Sequence, residues 1–248
     1  MSATLLEAQD IGKRFGSFTA LQGVNASFRA GELSAIIGPN GAGKSTFFNI
    51  LSGAFAPSSG RIRFEGRDIT GEPQYRFARL GIAKSFQITN LFPRLSALEN
   101  VRLAVQMRHR RFDFWTPRGS LGELREEAET LLERVGLASI AGRTARDLAH
   151  GQQRSLEVAM ALASRPRLLL LDEPTAGMSP EETRSMMDLI GDLARERSII
   201  LVEHKMKMVL SICQRLLVLH HGEFLAEGSP DDIRANAEVR RVYLGQGN

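Results

Sequence analysis

A single cysteine, Cys213, is all the thiol that this 248-residue sequence contains. It can form neither an internal disulfide nor a thiolate zinc site, so packing must hold the fold and a reducing, cytoplasmic compartment is expected. Long hydrophobic runs are missing too. Runs such as Leu168–Leu171 and Ile199–Val202 fall far short of the ~20 apolar residues that cross a bilayer. The N-terminus carries Glu7 and Asp10 and has no basic start before an apolar stretch, so no secretory signal is expected. Charge of one sign is not in excess: the net charge of +4 does not by itself indicate nucleic acid, and no such partner is expected. Linker-like Pro or Gly/Ser tracts and internal repeats are also absent. What remains is an ordinary globular composition, 43% hydrophobic and 24% charged, in a chain long enough to bury one full core and carry an insertion.

The pattern along the chain is α/β. Leu5 to Phe15 reads as a strand, and Val24, Ala26 and Phe28 alternate with polar residues as in another. Apolar Leu33 to Ile37 then runs into a glycine-rich turn, and helical spacing follows Lys44. Arg61–Phe64 and Gly81–Phe86 read as further short strands. Between Ser96 and Gly151 strand patterning stops; Leu121, Leu124, Ala128, Leu131, Leu132 and Val135 share one helical face, which marks a helical insert. A helix over Gln152–Ser164, a buried strand over Leu168–Asp172, a helix over Pro180–Arg197 and a buried strand over Ser198–Val202 follow. That alternation implies parallel strands joined by crossover helices. A strand pair, Leu216–Leu219 with Glu223–Ala226, and a short helix complete the reading, with no appended regulatory domain expected.

Gly38, Pro39, Asn40, Gly41, Ala42, Gly43, Lys44, Ser45 and Thr46 match G-x-x-x-x-G-K-[ST] in the required context, an apolar strand before and a helix after. Gly41 and Gly43 let the backbone curl so that successive N–H groups point inward, and the helix start adds its positive dipole end. Such a loop suits a polyphosphate: Lys44 would neutralise the β and γ phosphates and the Ser45 hydroxyl would join a Mg²⁺ shell. Kinases, GTPases, helicases and transporter motors all share this loop, so a second element must discriminate. Leu168-Leu-Leu-Leu-Asp172-Glu173-Pro174 supplies it, with two carboxylates emerging at the carboxyl end of a buried parallel strand. Asp172 would hold Mg²⁺ through its water shell, and Glu173 would orient and polarise the attacking water.

With these two elements the chain resembles, over essentially its whole length, the nucleotide-binding subunit of ATP-binding cassette (ABC) transporters. Leu148-Ala-His-Gly151-Gln152-Gln-Arg lies between them and looks like the family's LSGGQ signature, with two departures: Ala149 stands for the serine and His150 for a glycine. The resemblance implies a P-loop NTPase (RecA-like) core with an N-terminal antiparallel β subdomain and an inserted α-helical subdomain. The core would comprise 1–88 and 152–248 and the helical subdomain 89–151 of a single nucleotide-binding domain. It implies ATP and Mg²⁺, with Ser45, Gln87 and Asp172 toward the metal and with Lys44, Gln87, Glu173 and His204 catalytic. Phe15, 23 residues before Gly38, matches the aromatic that stacks on adenine. Gly151 and Gln152 would face ATP bound on an opposite cassette. Ser179 takes the place usually held by Asp or Asn in the D-loop.

Gln152-Gln-Arg154, Val202-Glu-His204, the stretch Asn90–Asn100 and the ending Val242-Tyr-Leu-Gly narrow the resemblance. Together they look like the larger ATPase subunit of branched-chain amino acid importers, a branch that includes relatives handling urea and short amides. This implies two transmembrane permease subunits, a second ABC ATPase as a homo- or heterodimer partner and, indirectly, a periplasmic solute-binding protein. The chain would then sit peripherally on the cytoplasmic face of the bacterial inner membrane. Gln106–Arg118, with four arginines against Asp113 and with Phe112, Phe114 and Trp115 interleaved, reads either as a surface for lipid headgroups or permease, or as a solvated loop. A lipid or lipopolysaccharide exporter motor and a soluble ATP-dependent switch are rival readings; the exporters usually keep the serine signature, and the switches join two cassettes or carry long coiled coils.

Overall fold

Two sheets divide the strands. In the computed structural model, which describes residues 3–85, 91–109 and 119–244, β1 (Thr4–Phe15) and β2 (Phe18–Arg29) form a long antiparallel pair. The second sheet opens with β3 (Leu33–Ile37), which runs into the glycine loop and then α1 (Lys44–Leu51). Next come β4 (Ser59–Phe64), β5 (Arg67–Asp68), α2 (Gln74–Leu80) and β6 (Ile82–Lys84). The helical stretch contains α3 (Ala97–His109) and α4 (Gly119–Arg134), and α5 (His150–Leu162) leads back to the second sheet. There β7 (Leu168–Asp172), α6 (Pro180–Ala194), β8 (Ser198–Val202), α7 (Met206–Ile212), β9 (Arg215–His220) and β10 (Glu223–Gly228) follow, then α8 (Pro230–Ala235).

Strand order is β2-β1-β4-β5 in the antiparallel sheet and β10-β9-β3-β8-β7-β6 in the larger one, in which only β10 runs antiparallel to its neighbour. The continuous apolar runs of β3, β7 and β8 are explained by burial on both faces. Successive side chains point to opposite sides. Leu169, Leu171, Ile199, Leu201, Leu216 and Val218 therefore join the core beneath the helices, where Val101, Ala128 and Leu132 also lie. Leu168, Leu170, Ile200, Val202, Leu217 and Leu219 join the other core, with Phe47 and Phe48 of α1 and the inner face of the antiparallel sheet. Helical packing is thus continuous with one face of the parallel sheet.

Three helix bounds differ from the sequence expectation, one of them the exit of α5 at Leu162 rather than Ser164. Helix α5 begins at His150 rather than Gln152, because Gln152 Oε1 accepts from the Ala149 N–H and pulls the preceding turn into the helix. Helix α6 stops at Ala194, since Arg195 and Glu196 N–H groups bond three residues back and tighten the exit toward β8. Asn100, fully buried, orders the approach to α3: its Oδ1 accepts from Phe92 N at 2.8 Å and its Nδ2 donates to Ser96 O at 2.9 Å.

Arg108 is not part of a free basic surface. Its guanidinium donates to both carboxylate oxygens of Glu127, at 2.7 and 2.6 Å, and to Ala163 O at 2.9 Å, while Arg165 also reaches Glu127. These bonds tie α3, α4 and the turn after α5 together, so the net positive charge expected over Gln106–Arg118 loses this member; positions 110–118 lie outside the described residues. The Arg108 bonds, followed by the charges of Arg108 and Arg165, hold the Glu127 carboxyl down at about 2, against their opposition by burial. A carboxyl lowered on folding stabilises above its unfolded value of 4.5 and loses that contribution as pH falls toward about 2. Glu127→Gln should therefore cost about 2–3 kcal/mol at pH 7. Urea titrations of parent and variant should converge as pH drops below 4.5; a pH-independent gap would show that the charge is not the cause.

Candidate active site

The site grows from the carboxyl edge of the larger sheet. Ile36 of β3 and Asp172 of β7 both pair with Val202 of β8, which places the three strand ends in one row. After β3 the chain enters the glycine loop, and α1 starts at Lys44 with Gly43 as its N-cap at φ 94°. A Cβ on Gly43 would lie 2.7 Å from Leu21 Cδ2 and 2.9 Å from Ala20 O, and one on Gly38 only 2.1 Å from Leu219 O. Both positions thus need glycine for close approach of neighbouring strands. The loop is pinned from outside by Gly222 N to Ala42 O at 3.1 Å, and internally by Ala42 N to Pro39 O at 3.2 Å. No side chain caps α1 and no acidic residue occupies its first turn, so its leading N–H groups and positive dipole end remain for an anion. Asn40, Gly41 and Ser45 are exposed on this loop, and Thr46 is half-buried behind them.

Lys44 is buried, and its Nζ donates to Gly38 O at 2.8 Å and Pro39 O at 2.9 Å. Burial lowers its pKa, and the charge of Glu173 partly restores it, so Lys44 and Glu173 sense one another across the site. Asp172 is 2% exposed, and neither carboxylate oxygen has a hydrogen-bond partner among the described residues. Burial raises its pKa, with Lys84 pulling it down and Glu173 pushing it further up. Two buried oxygens lacking donors suit a hard cation, and the exposed Ser45 hydroxyl offers a third oxygen of the kind Mg²⁺ takes. No cluster of three His, Cys, Asp or Glu side chains fit for a metal occurs among the described residues, so an ion here would draw most ligands from phosphate and water.

Glu173 adopts φ 45°, a left-handed conformation uncommon outside glycine, and its N–H donates to Val202 O at 2.8 Å. That backbone turn leaves the carboxylate half-buried, with Oε1 3.8 Å from His204 Nδ1. His204 lies two residues beyond the end of β8, and its exposed side chain faces Glu173 rather than capping a helix; α7 has Lys205 at its N-cap. Gln87 lies outside the described residues.

Phe15 is 44% exposed, which argues against a core role, and its ring meets Phe55 edge to face at 5.7 Å with Lys13 Nζ 5.1 Å from its centroid. In the signature segment, Ala149 is the N-cap of α5 and offers no side-chain oxygen. The Gly151 N–H donates to Glu182 Oε1 at 3.2 Å, and a ring nitrogen of His150 lies 3.0 Å from Ala176 O. Glu182 also completes a capping box with Ser179, the N-cap of α6: Ser179 N donates to Glu182 Oε2 at 2.9 Å and Glu182 N to Ser179 Oγ at 3.2 Å. Ser179 in place of Asp or Asn therefore has a local task, and Pro180 opens the helix as expected.

Two further polar residues lie at the site without belonging to its phosphate loop or its paired acids. Lys84, at the end of β6, places Nζ 2.6 Å from Asn49 Oδ1 and 3.9 Å from Asp172 Oδ2, bridging α1 and β7. Glu203 is fully buried between the strand ends. Lys84 is hinted at only as a charge closing an apolar strand, and Glu203 only by its place in Val202-Glu-His204.

A nucleotide loop at a strand–helix turn, an unsatisfied buried aspartate and a neighbouring glutamate facing a histidine define a P-loop ATPase. A model described as ABC transporter matches residues 21–176, and one described as branched-chain amino acid ATP-binding cassette transporter matches 225–247. The chain belongs to the ABC transporter family and is an ATPase. It is 42% identical, over 99% of its length and 100% of the relative's, to the high-affinity branched-chain amino acid transport ATP-binding protein BraF of Pseudomonas aeruginosa. Identity is 39% to the corresponding LivG of Escherichia coli K12, covering 99% of this chain and 100% of LivG. The lipopolysaccharide export system ATP-binding protein LptB of Acidithiobacillus ferridurans is 36% identical, with 97% of each chain covered. Among solved structures, an ATP-binding cassette of an ABC transporter in its ADP conformation superposes with a TM-score of 0.86 at 29% identity, covering 99% of this chain and 100% of that one.

An N-cap without a side-chain acceptor can be repaired. Ala149→Ser should stabilise the chain by about 0.5–2 kcal/mol, read as a rise of about 1–8 °C in the thermal midpoint. An unchanged midpoint would show that Glu182 already satisfies that helix end.

Proposed function

We propose that this chain is the ATP-hydrolysing motor of an importer for branched-chain amino acids or related small polar solutes. The convergence of Lys44, Asp172, Glu173 and His204 on one sheet edge carries the mechanistic part of this reading. Identity to BraF along the whole chain, with the match at 225–247, supports the solute class. Residues 1–88 and 152–248 form the nucleotide-binding core, and 89–151 form its helical subdomain.

The residues take the following parts. Phe15 stacks on adenine, and the N–H groups of Gly38 to Thr46 wrap the phosphates. Lys44 leaves the carbonyls of Gly38 and Pro39 for the β and γ phosphates, a favourable exchange of neutral acceptors for anionic ones. Ser45, Asp172 and Gln87 hold Mg²⁺, which when bound neutralises charge on the phosphate oxygens. Glu173 orients and polarises the attacking water, and His204 reaches toward the γ phosphate. Gly151 and Gln152 complete the site of a second cassette, a copy or a different chain, so that ATP draws the two together and hydrolysis lets them part.

The motor works on two permease subunits at the cytoplasmic face of the bacterial inner membrane, served by a solute-binding protein. No helix among the described residues is long and apolar enough to cross a membrane, in keeping with a peripheral subunit. A dimeric cassette bound to ADP and Pi, with a TM-score of 0.78 and 27% identity over 91% of this chain and 99% of that one, supports the paired arrangement.

Glu173→Gln should lower ATP turnover about 10²–10⁴-fold while ATP binding persists; undiminished hydrolysis would remove Glu173 as the base. In the assembled transporter, leucine, isoleucine or valine delivered by the binding protein should stimulate ATPase activity. Stimulation by lipopolysaccharide instead would reassign the chain to export.

A further inference from the structure

Glu203 is a carboxylate with no exposed surface, placed immediately after β8 and immediately before His204. Burying such a group is costly unless donors meet its lone pairs, and here four do. Oε1 accepts from the Thr175 N–H at 3.2 Å and from the Thr175 hydroxyl. Oε2 accepts from the His204 N–H at 3.0 Å and the Lys205 N–H at 3.4 Å. Thr175, itself fully buried, lies two residues beyond Glu173 in the loop that leaves β7. Lys205 grips the same residue from the other side, its Nζ donating to Thr175 O at 2.9 Å and to Thr183 Oγ1 at 3.3 Å. Residues 203 and 205 thus both hold Thr175, and His204 between them is turned outward with Nδ1 3.8 Å from Glu173 Oε1.

We infer that Glu203 is a positioning residue for ATP hydrolysis, locking the loop after β7 to the loop after β8 so that His204 and Glu173 face one another across the reacting phosphate. Glu203 does not touch substrate, for it is sealed from solvent and its oxygens are occupied by backbone and threonine donors. Its nearer oxygen is 3.8 Å from His204 Nδ1, outside hydrogen-bond reach, so it acts on that side chain through the backbone. A neutral isostere cannot reproduce the arrangement. In either orientation the amide of a glutamine would turn its NH₂ toward at least one backbone N–H, where the carboxylate offers only acceptors. The inference rests on the roles proposed above for Glu173 and His204.

The test uses the assembled transporter and compares Glu203→Gln, Thr175→Val, His204→Ala, Glu173→Gln and the Glu203→Gln/His204→Ala pair, reading kcat and KM for ATP. Loss of positioning should lower kcat about 10- to 100-fold in Glu203→Gln, with KM for ATP unchanged. Thr175→Val, which removes only the hydroxyl donor, should fall in kcat in the same direction and decides the matter if Glu203→Gln does not assemble. Because Glu203 acts by setting His204 against Glu173, its loss should cost less in the His204→Ala background than in the parent, so the two effects should not multiply. Full kcat in both Glu203→Gln and Thr175→Val, or losses that multiply in the pair, would overturn the inference while leaving the catalytic assignments intact. Undiminished hydrolysis by His204→Ala and Glu173→Gln would instead overturn those assignments, and the inference with them.

Discussion

Ile36 and Asp172 share Val202 as their ladder partner, and much of the molecule's chemistry depends on that alignment. Three parallel strands ending in one row deliver the glycine loop, the paired acids and the histidine to the same place, although these segments are far apart in the chain. The alignment persists because both faces of the sheet are buried, with alternate side chains committed to separate cores. Slipping a strand by one residue would send every one of those side chains to the opposite core, so register and site geometry are held by the same packing.

Against this apolar scaffold the strand ends gather polar groups whose needs are met unevenly. Glu203 has four donors, while Asp172 has none among the described residues and is faced by Lys84 at 3.9 Å. Lys44 rests on two carbonyls, acceptors weaker than a phosphate. The polarity that holds the loops is thus saturated, and the polarity proposed to meet a nucleotide is not. A network satisfied throughout would be rigid but would have little to gain from a nucleotide.

Much of this was legible from residue order. The strand–glycine loop–helix context around Lys44, and four leucines ending in two acids, announced the parallel sheet and the meeting of the segments proposed to hold the phosphates, since each signal ties a backbone conformation to a chemical need. Alternation in β2 and the helical face through Leu124, Ala128 and Leu132 came from periodicity alone. Other features were hidden because they depend on partners distant in sequence. Nothing local to Glu203 shows that Thr175 will meet it, and nothing in Ile82-Ala-Lys84 shows that a lysine will bridge Asn49 and Asp172. Arg108 counted as surface charge until α4 supplied Glu127. The early start of α5 likewise followed from a side-chain bond, Gln152 to the Ala149 N–H, that no propensity scale contains.

Gly43 and Gly222 lie back to back beneath β2: a Cβ on the first would fall 2.9 Å from Ala20 O, and one on the second 2.6 Å from the same oxygen. Three stretches from the beginning, first quarter and end of the chain therefore occupy one crowded crossing. Evolutionary drift at any of them is vetoed by the other two, so this corner should change in concert or stay fixed while the surfaces around it diverge.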